Sequence, residues 1–468
     1  MNSKVVALAV VVILIAAGAG IVVYNGLKHD TDKTIDVNLE TFGNADKDDR
    51  ISENDAVMIE KYIAAVEAGD SEAISEIDIS TTFADANLDG SINTEDAAQV
   101  RAIVAGTADN IWMLDGVGNE RKISTDISRI GCEYFSNTEL CLILGQADKI
   151  VAVDNAPYLY SDFYFTESQQ SNITNMFNCN KPDYDLINTL NLDTYLLFSG
   201  SASYEAKQEK IIDCDVIYLG LYNPDLTNTE KSSFVQGVLK AGYIFGAVDR
   251  AEDYINWLID YRDEMLDIAD SIDDSDKPVV CMSNYTSGQY FMDDDSNLIS
   301  VYRTNDPLGQ AVTLAGGTNV IELLSDSSFV TSGSYAVKVQ IDSIFNDDES
   351  VEVDYFFLHM VKYTYGATVN SGVPDHGYLT TDDSEMAAAY AIATDHSLIT
   401  DEKISLIAGD FRNGCTGGVL LAAYMGSVIN AEAYSDIDPI AMHNEYVKWL
   451  GIEDYDVSED GLLIYPSV

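Results

Sequence analysis

The sequence predicts an α/β protein of two lobes bridged by one long α-helix, preceded by a small all-α calcium-binding module and an N-terminal transmembrane helix. Three observations predict it. Residues 5–24 are apolar and uncharged. Two oxygen-rich loops of one pattern, opening at Asn44 and at Asp85, each run into a helix. Beyond them, short apolar runs alternate with helical stretches in two sets, and an amphipathic stretch over 249–272 separates the sets. The length of 468 residues accommodates several domains, and 47 % hydrophobic residues is the content of a globular chain. A formal net charge of −53 argues against nucleic acid as a partner, because a phosphate backbone has to be neutralised by Lys and Arg. It also disfavours a basic docking face on anionic lipid.

The first element is residues 1–30. About 20 residues of helix rise about 30 Å, enough for a bilayer core. Lys4 precedes the run, and Asp30 and Asp32 follow it. The positive-inside rule then leaves the short N-terminus in the cytoplasm and the rest on the extracellular face, tethered by the helix. A signal peptide cleaved near Ala17-Gly18-Ala19 is the alternative; the apolar run continuing through Ile21, Val22 and Val23 speaks against it. No cysteine lies near enough for a lipid anchor. Cys132, Cys141, Cys179, Cys214, Cys281 and Cys415 permit disulfides outside the cell or buried thiols, and no C-x-x-C occurs.

The second element is residues 35–108. Asp85, Asn87, Asp89, Asn93 and Asp96 place side-chain oxygens at positions 1, 3, 5, 9 and 12 of a cation loop. Ser91 offers the main-chain carbonyl of position 7, and Gly90 allows the sharp turn at position 6. The pattern recurs earlier as Asn44, Asp46, Asp48, Arg50 (by its carbonyl), Ser52 and Asp55. There Asp49 stands at position 6, where left-handed geometry is costly for it, so the first site is expected to bind Ca²⁺ more weakly than the second. Helices are expected at 53–66 and 94–104. This duplicated unit resembles a dockerin type I module, and the resemblance implies Ca²⁺ binding and a cohesin-domain partner. A calcium-stiffened spacer is the alternative role.

The third element is a first lobe, residues 118–248, with strands expected at 150–153, 195–198 and 216–219. The fourth is the bridging helix, 249–273. Asp249 is the expected N-cap, Tyr254, Leu258, Tyr261, Met265 and Ile268 share one face, and Pro278 closes it. The fifth is a second lobe, 277–468, with strands expected at 279–282, 319–321 and 355–359. These runs are continuous and not alternating, as in a parallel sheet covered on both faces.

Several segments carry a further resemblance. They are Ser128-Arg129-Ile130, the stretch Gly145-Gln146-Ala147-Asp148-Lys149-Ile150-Val151, Ala247–Tyr254, Gly316-Gly317-Thr318-Asn319, and Asp436-Ile437-Asp438-Pro439 with His443, Glu445 and Tyr446. In this order they resemble the substrate-binding proteins of metal-chelate ABC importers, with two Rossmann-like lobes on a rigid helix. The resemblance implies capture of an iron siderophore, haem or cobamide and delivery to an ABC permease. It also implies one acidic permease-docking residue per lobe, which by position are Asp185 and Asp342.

A binder of this kind holds its ligand at the strand C-termini. The candidates there are Tyr158, Tyr160, Tyr164, Ser199, Ser201 and Tyr222 in the first lobe. In the second they are Tyr285, Tyr290, Arg303, His359, Tyr363, Tyr365 and Arg412. The 28 tyrosines offer flat faces with polar tips, suited to a macrocycle or aromatic chelator. Arg303 and Arg412 are scarce cations that would meet ligand carboxylates bidentately. His359 ends an apolar run, which also suits a hydrogen-bonded core histidine. No H-E-x-x-H, G-x-S-x-G or phosphate-binding G-x-x-x-x-G-K occurs, so an enzyme is not expected. A calcium-dependent surface scaffold with a degenerate binding module is the second reading, and a two-lobed metal chelatase the third.

Overall fold

The structure, a computed structural model, describes residues 34–198, 204–222, 224–285, 292–293, 298–340, 342–345, 351–362, 372–394 and 403–467. Thr34–Val468 clusters as one compact unit. The expected membrane helix lies outside the described residues; among those described, no helix is long and apolar enough to cross a membrane.

The duplicated-loop module forms as its pattern dictates. Ser52 and Asp55 make a capping box at the start of Glu53–Ala68, and Asn93 and Asp96 make another at the start of Thr94–Val104. The two helices bury Ala56, Ile59, Ala97 and Val100 against each other. A short helix, Ser71–Glu76, lies between them. An antiparallel hairpin, Asn110–Leu114 with Glu120–Ser124, follows. It ties the module to the next sheet: Leu114 N donates to Glu40 O at 3.0 Å, and Ser124 N to Asp215 Oδ2 at 2.7 Å.

The first sheet has five parallel strands in the order Thr174–Asn175, Ile150–Val153, Ile130–Cys132, Thr194–Leu196, Asp215–Ile217. The three expected strands are present within two residues. The central one, Ile130–Cys132, is wholly buried but only three residues long, too short for periodicity to disclose.

Among the described residues the second sheet has nine strands, one of them the short Met292–Asp293 antiparallel to Leu298–Tyr302, and it corrects the expectation of parallel strands throughout. Its parallel part runs Thr318–Asn319, Val279–Asn284, Tyr355–Met360, Ile404–Ala408. On one side Leu298–Tyr302, Ala336–Gln340 and Phe329–Ser332 extend it antiparallel; on the other Ile464–Tyr465 does. Leu298–Tyr302 and Ala336–Gln340 begin with strict alternation of buried and half-buried residues, the mark of a sheet covered on one face. The strand expected over 319–321 stops at Asn319, whose side chain accepts the Ile321 amide and starts a 3₁₀ turn.

The bridging helix is Val248–Ser271, 24 residues, about 36 Å long. Asp249 is not its N-cap: Ala247 takes that place with no side-chain bond, and Asp249 lies in the first turn, where its charge complements the helix dipole. Nor does Pro278 end it. The chain turns extended at Ile272, and the Pro278 carbonyl instead accepts the Thr318 amide. Tyr254, Leu258 and Met265 are buried as expected, with Tyr261 and Ile268 packed at the edge of the same core.

Candidate functional site

The C-terminal ends of both sheets meet in an aromatic layer. From the first sheet come Tyr134, Phe198 and Tyr222, with ring centroids 4.2 Å (Tyr134–Phe198) and 4.7 Å (Phe198–Tyr222) apart. From the second come Tyr302, Tyr335 and Arg412. Tyr222 meets Tyr335 edge-on at 6.2 Å, and Tyr134 Oη donates to Asn413 Oδ1 at 2.5 Å. Tyr134 sits at φ 70°, uncommon for an aromatic residue. Its place directly after the central strand and its bond to Asn413 hold it there.

Arg412 is the charged centre of this layer. Its guanidinium lies 5.7 Å from the Tyr222 ring centroid and 5.9 Å from that of Tyr302. Nε and Nη2 face the Asp306 carboxylate, the latter at 2.7 Å, with Asp306 fully buried. Asp306 also accepts the Leu308 amide and so caps the helix Pro307–Leu314. One carboxylate therefore orients both a helix and the arginine. The Asp306 pair holds Arg412 protonated against its burial.

Beside this layer lies a smaller polar group. Tyr160 Oη is 3.5 Å from Asp410 Oδ2, and His376 accepts at Nε2 from Gly409 N at 3.5 Å. A side chain at Gly377 (φ +94°) would strike both Tyr160 and Asp410, so that close approach requires glycine. The cavity among Phe135, Tyr160, Lys362, His376 and Asp410 measures about 10 Å³, room for about one water. Burial, then the charge of Glu139, pushes Asp410 up to about 7. Deeper, Asp154 is 1 % exposed; burial, then the Glu133 carboxylate, pushes it up to about 7.

Asp154 gives a pH prediction. A carboxyl whose folded pKa is raised keeps its proton where the unfolded chain has lost it, so stability falls as pH rises from the unfolded value towards 7. The buried histidines His359, His376 and His443 are depressed to about 3, about 4 and about 3, chiefly by burial. Each is still half protonated in the unfolded chain at pH 6.5, so together they add stability between pH 6.5 and 8 and oppose this slope. Between pH 6.5 and 8, Asp154 alone removes roughly 0.8 kcal/mol. Asp410, also at about 7, adds a loss of the same sign, so the test is a difference between two proteins: by denaturant unfolding, the stability of the unaltered chain relative to Asp154→Asn should fall by that amount between the two pH values.

The calcium loops form the second candidate site. Asp55 Oδ1 accepts from Ala45 N (2.7 Å) and Asp46 N, and Oδ2 from Ser52 N. Asp85 likewise takes Asp89 N and Gly90 N, while Asp96 takes Asn87 N and Asn93 N. Gly90 is left-handed at φ 92°, as expected, but Asp49 is not. The left-handed side-chain positions are Lys47 and Leu88, at position 4 of each loop. Asp49 instead turns its carboxylate to the Ile35 amide at 2.6 Å.

Among the described residues no three His, Cys, Asp or Glu side chains are gathered as a metal site. The donor set nevertheless fits a hard cation, being all oxygen. Asn44, at position 1, is fully buried, and its Oδ1 has no hydrogen-bond partner. Burial and the neighbouring carboxylates push Asp48 up to about 6 and raise Asp46 and Asp55, a repulsion a divalent cation relieves.

Residues 43–104 match the dockerin type I domain family. The calcium module is a dockerin domain. The remainder of the chain has the fold of TroA-like solute-binding proteins. The TroA-like periplasmic binding protein FepB from Veillonella parvula is similar at 13 % identity and TM-score 0.56, covering 75 % of this chain and 98 % of its own. A periplasmic solute-binding protein from the same organism aligns at 16 % identity and TM-score 0.52 over 75 % and 96 %. An ABC transporter solute-binding protein from Sulfurospirillum deleyianum aligns at 13 % and 0.51 over 75 % and 98 %. No curated protein matches the chain in sequence.

The dockerin domain is no extended stalk. Gln236 Oε1 accepts from Glu40 N, its amide donates to Asn38 O, and the buried Lys240 reaches Glu40.

Of the expected ligand residues, Tyr222, His359 and Arg412 come together. His359 is buried and bonds through Nδ1 to Tyr302 Oη at 3.1 Å, the arrangement of a core histidine. Tyr160 is buried at the Asp410 group, and Tyr164 donates to Glu139 inside the core. Tyr158 is exposed and Tyr285 half-buried. Arg303 stands apart from Arg412, over the Phe329 ring at 5.4 Å, in a separate cavity of about 460 Å³. Ser199, Ser201, Tyr290, Tyr363 and Tyr365 lie outside the described residues. Asp185 is exposed on the helix Tyr184–Thr189, and Asp342 opens the helix Asp342–Phe345. Sequence reasoning missed Tyr134, Phe198, Tyr302, Asp306 and Tyr335. Only Asp306 carried a signal, the Asp-Pro start of a helix. No disulfide joins the six cysteines; Cys132 and Cys141 Sγ are 3.7 Å apart.

Proposed function

We propose that this protein is the extracellular solute-binding component of an ABC importer, taking a metal chelate between lobes 118–248 and 277–468 and passing it to a permease. One observation carries the reading: the aromatic layer of Tyr134, Phe198, Tyr222, Tyr302 and Tyr335 around Arg412, at the strand C-termini of both sheets. Such a layer suits a flat aromatic chelate or macrocycle. Because Asp306 already balances Arg412, the layer offers less net positive charge to a ligand carboxylate than sequence reasoning expected. The chelate is an iron siderophore, haem or cobamide, and its capture involves no catalysis. Residues 5–24 tether the protein to the membrane, and Asp185 and Asp342 meet the permease.

The dockerin domain holds Ca²⁺ through Asn44, Asp46, Asp48, the Arg50 carbonyl and Asp55, and through Asp85, Asn87, Asp89, the Ser91 carbonyl and Asp96. Its presence supports a second reading, a surface scaffold that recruits a cohesin-domain partner.

Titration with a ferric siderophore, haem and cobalamin, followed by tyrosine fluorescence and the ligand's visible spectrum, tests the importer reading. One of them is expected to bind one-to-one at micromolar or tighter affinity, and Tyr222→Ala to weaken it by about tenfold or more. A folded protein that binds none of the three would leave the scaffold as the better reading.

A further inference from the structure

The two calcium loops repeat each other in sequence but face different surroundings. The first meets the bridging helix through its position 7 and the helix before it, Ser233–Phe245, through its position 8. Arg50, at position 7, sends Nη2 to Asp249 at 2.7 Å and Nη1 to Glu252 at 2.6 Å. Both acids lie near the N-terminus of Val248–Ser271. The amide of the following residue, Ile51, donates to Tyr243 Oη at 2.7 Å, and Ile51 and Tyr243 are both buried. The corresponding residues of the second loop are an exposed Ser91 and a half-buried Ile92. Ile92 lines a surface cavity with Tyr62, Ile63 and Val66, all from the dockerin domain itself.

Arg50 therefore has two tasks at one position. Its carbonyl is the main-chain ligand of a loop of this type, and its guanidinium holds the helix. Asn44 adds an independent observation. It is fully buried, its amide nitrogen is bound to the carbonyls of Leu39 and Asp48 at 2.7 and 2.8 Å, and its Oδ1 has no partner. A buried polar atom left in that state calls for an explanation, and a cation at position 1 supplies it.

We propose that a divalent cation in the first loop and the docking of the dockerin domain on the helices Ser233–Phe245 and Val248–Ser271 are one linked equilibrium, while the second loop stays outside it. A cation that orders residues 44–55 fixes the main chain of Arg50 and Ile51, hence the link of each to its helix. By reciprocity, the links raise the affinity of the loop for the cation. The first loop works as an internal latch. This rests on the calcium reading above.

The test titrates the full chain with Ca²⁺ alone by calorimetry. Asp85→Ala is introduced to silence the second loop, so that the first is read by itself. In that background, Arg50→Ala and Tyr243→Phe are each expected to weaken the remaining site by about fivefold or more, the lower range for coupled sites. Simple electrostatics predicts the opposite for Arg50→Ala, since removing a positive charge beside a cation should strengthen binding. An unchanged or raised affinity in both variants would overturn the linkage and leave the calcium reading standing. With Asp85 intact, second-site affinity is expected to be unaffected by Tyr243→Phe; a loss there would overturn the claim that only the first loop is linked. If the unaltered chain takes up no Ca²⁺, the calcium reading fails first and the linkage with it.

Discussion

Replacing Asp306 with alanine is expected to cost about 3–5 kcal/mol of stability, the penalty for leaving one half of a buried ion pair without its partner. Asp306 is fully buried, while the Arg412 side chain is only 14 % exposed, so solvent screening offers little relief. The same change removes the cap of Pro307–Leu314, which adds about 1 kcal/mol. Asp306→Asn keeps an acceptor for Leu308 N and a hydrogen bond to Arg412, and should lose less. Urea unfolding of the three proteins measures the order. A loss for Asp306→Ala no larger than that of an exposed ion pair, under about 1 kcal/mol, would show that Arg412 finds another counter-charge. The variants also separate stability from ligand capture. Arg412 in Asp306→Asn carries an uncompensated charge towards Tyr222 and Tyr302, so a ligand bearing a carboxylate should bind Asp306→Asn more tightly than the unaltered protein.

Chelating calcium should have an effect of similar size on a different part of the chain. A ligand present at a thousandfold excess over its dissociation constant stabilises the state it binds by about 4 kcal/mol. In the dockerin domain that energy opposes the crowding of Asp46, Asp48 and Asp55, all raised by burial and by one another. Adding EGTA is therefore expected to increase hydrogen exchange over residues 34–108 by two to three orders of magnitude. The strands Val279–Asn284 and Tyr355–Met360, paired with each other in the centre of the second sheet, should be little changed. Equal exchange with and without chelator would mean that the loops hold no cation, and that their carboxylates serve only as caps for backbone amides.

The fold was legible where local chemistry decides it. The repeated loop patterns at 44–55 and 85–96, apolar spacing on 249–272 and continuous apolar runs at 150–153 and 355–359 each act within a few residues. The antiparallel extension of the second sheet was not legible. Leu298–Tyr302 and Ala336–Gln340 are paired across more than thirty residues of chain, and nothing local announces that pairing. The end of the bridging helix, expected at 273, falls within two residues of that, but its closure was assigned to Pro278 because proline is the strongest local breaker. The chain in fact leaves the helix at Ile272, well before proline can act.

The site divides in the same way. Arg412 was visible because cations are rare in so acidic a chain, with 25 Lys and Arg against 78 Asp and Glu. Its counter-ion was not, because Asp306 is one acid among many and lies 106 residues away in sequence. Arg303 and Arg412 looked equivalent, yet one lies over Phe329 in its own cavity and the other between two tyrosine rings. Tyr134 could not have been singled out among 28 tyrosines; only its place after the central strand brings it against Asn413.

The two loops show the boundary most clearly. Their oxygen ligands, turn residue and capping boxes are short-range features, so the amino-acid order alone specifies a duplicated cation-binding unit followed by an α/β protein. That order treats the loops as near copies, differing at Asp49. Tertiary structure makes them unequal for another reason: Ile51 is buried against Tyr243, 192 residues further along, and the exposed Arg50 is paired with Asp249, 199 residues further along, whereas Ser91 is exposed and Ile92 half-buried within its own domain. Long-range packing chooses which of two equivalent local motifs is enclosed, because burial depends on what the rest of the chain brings alongside.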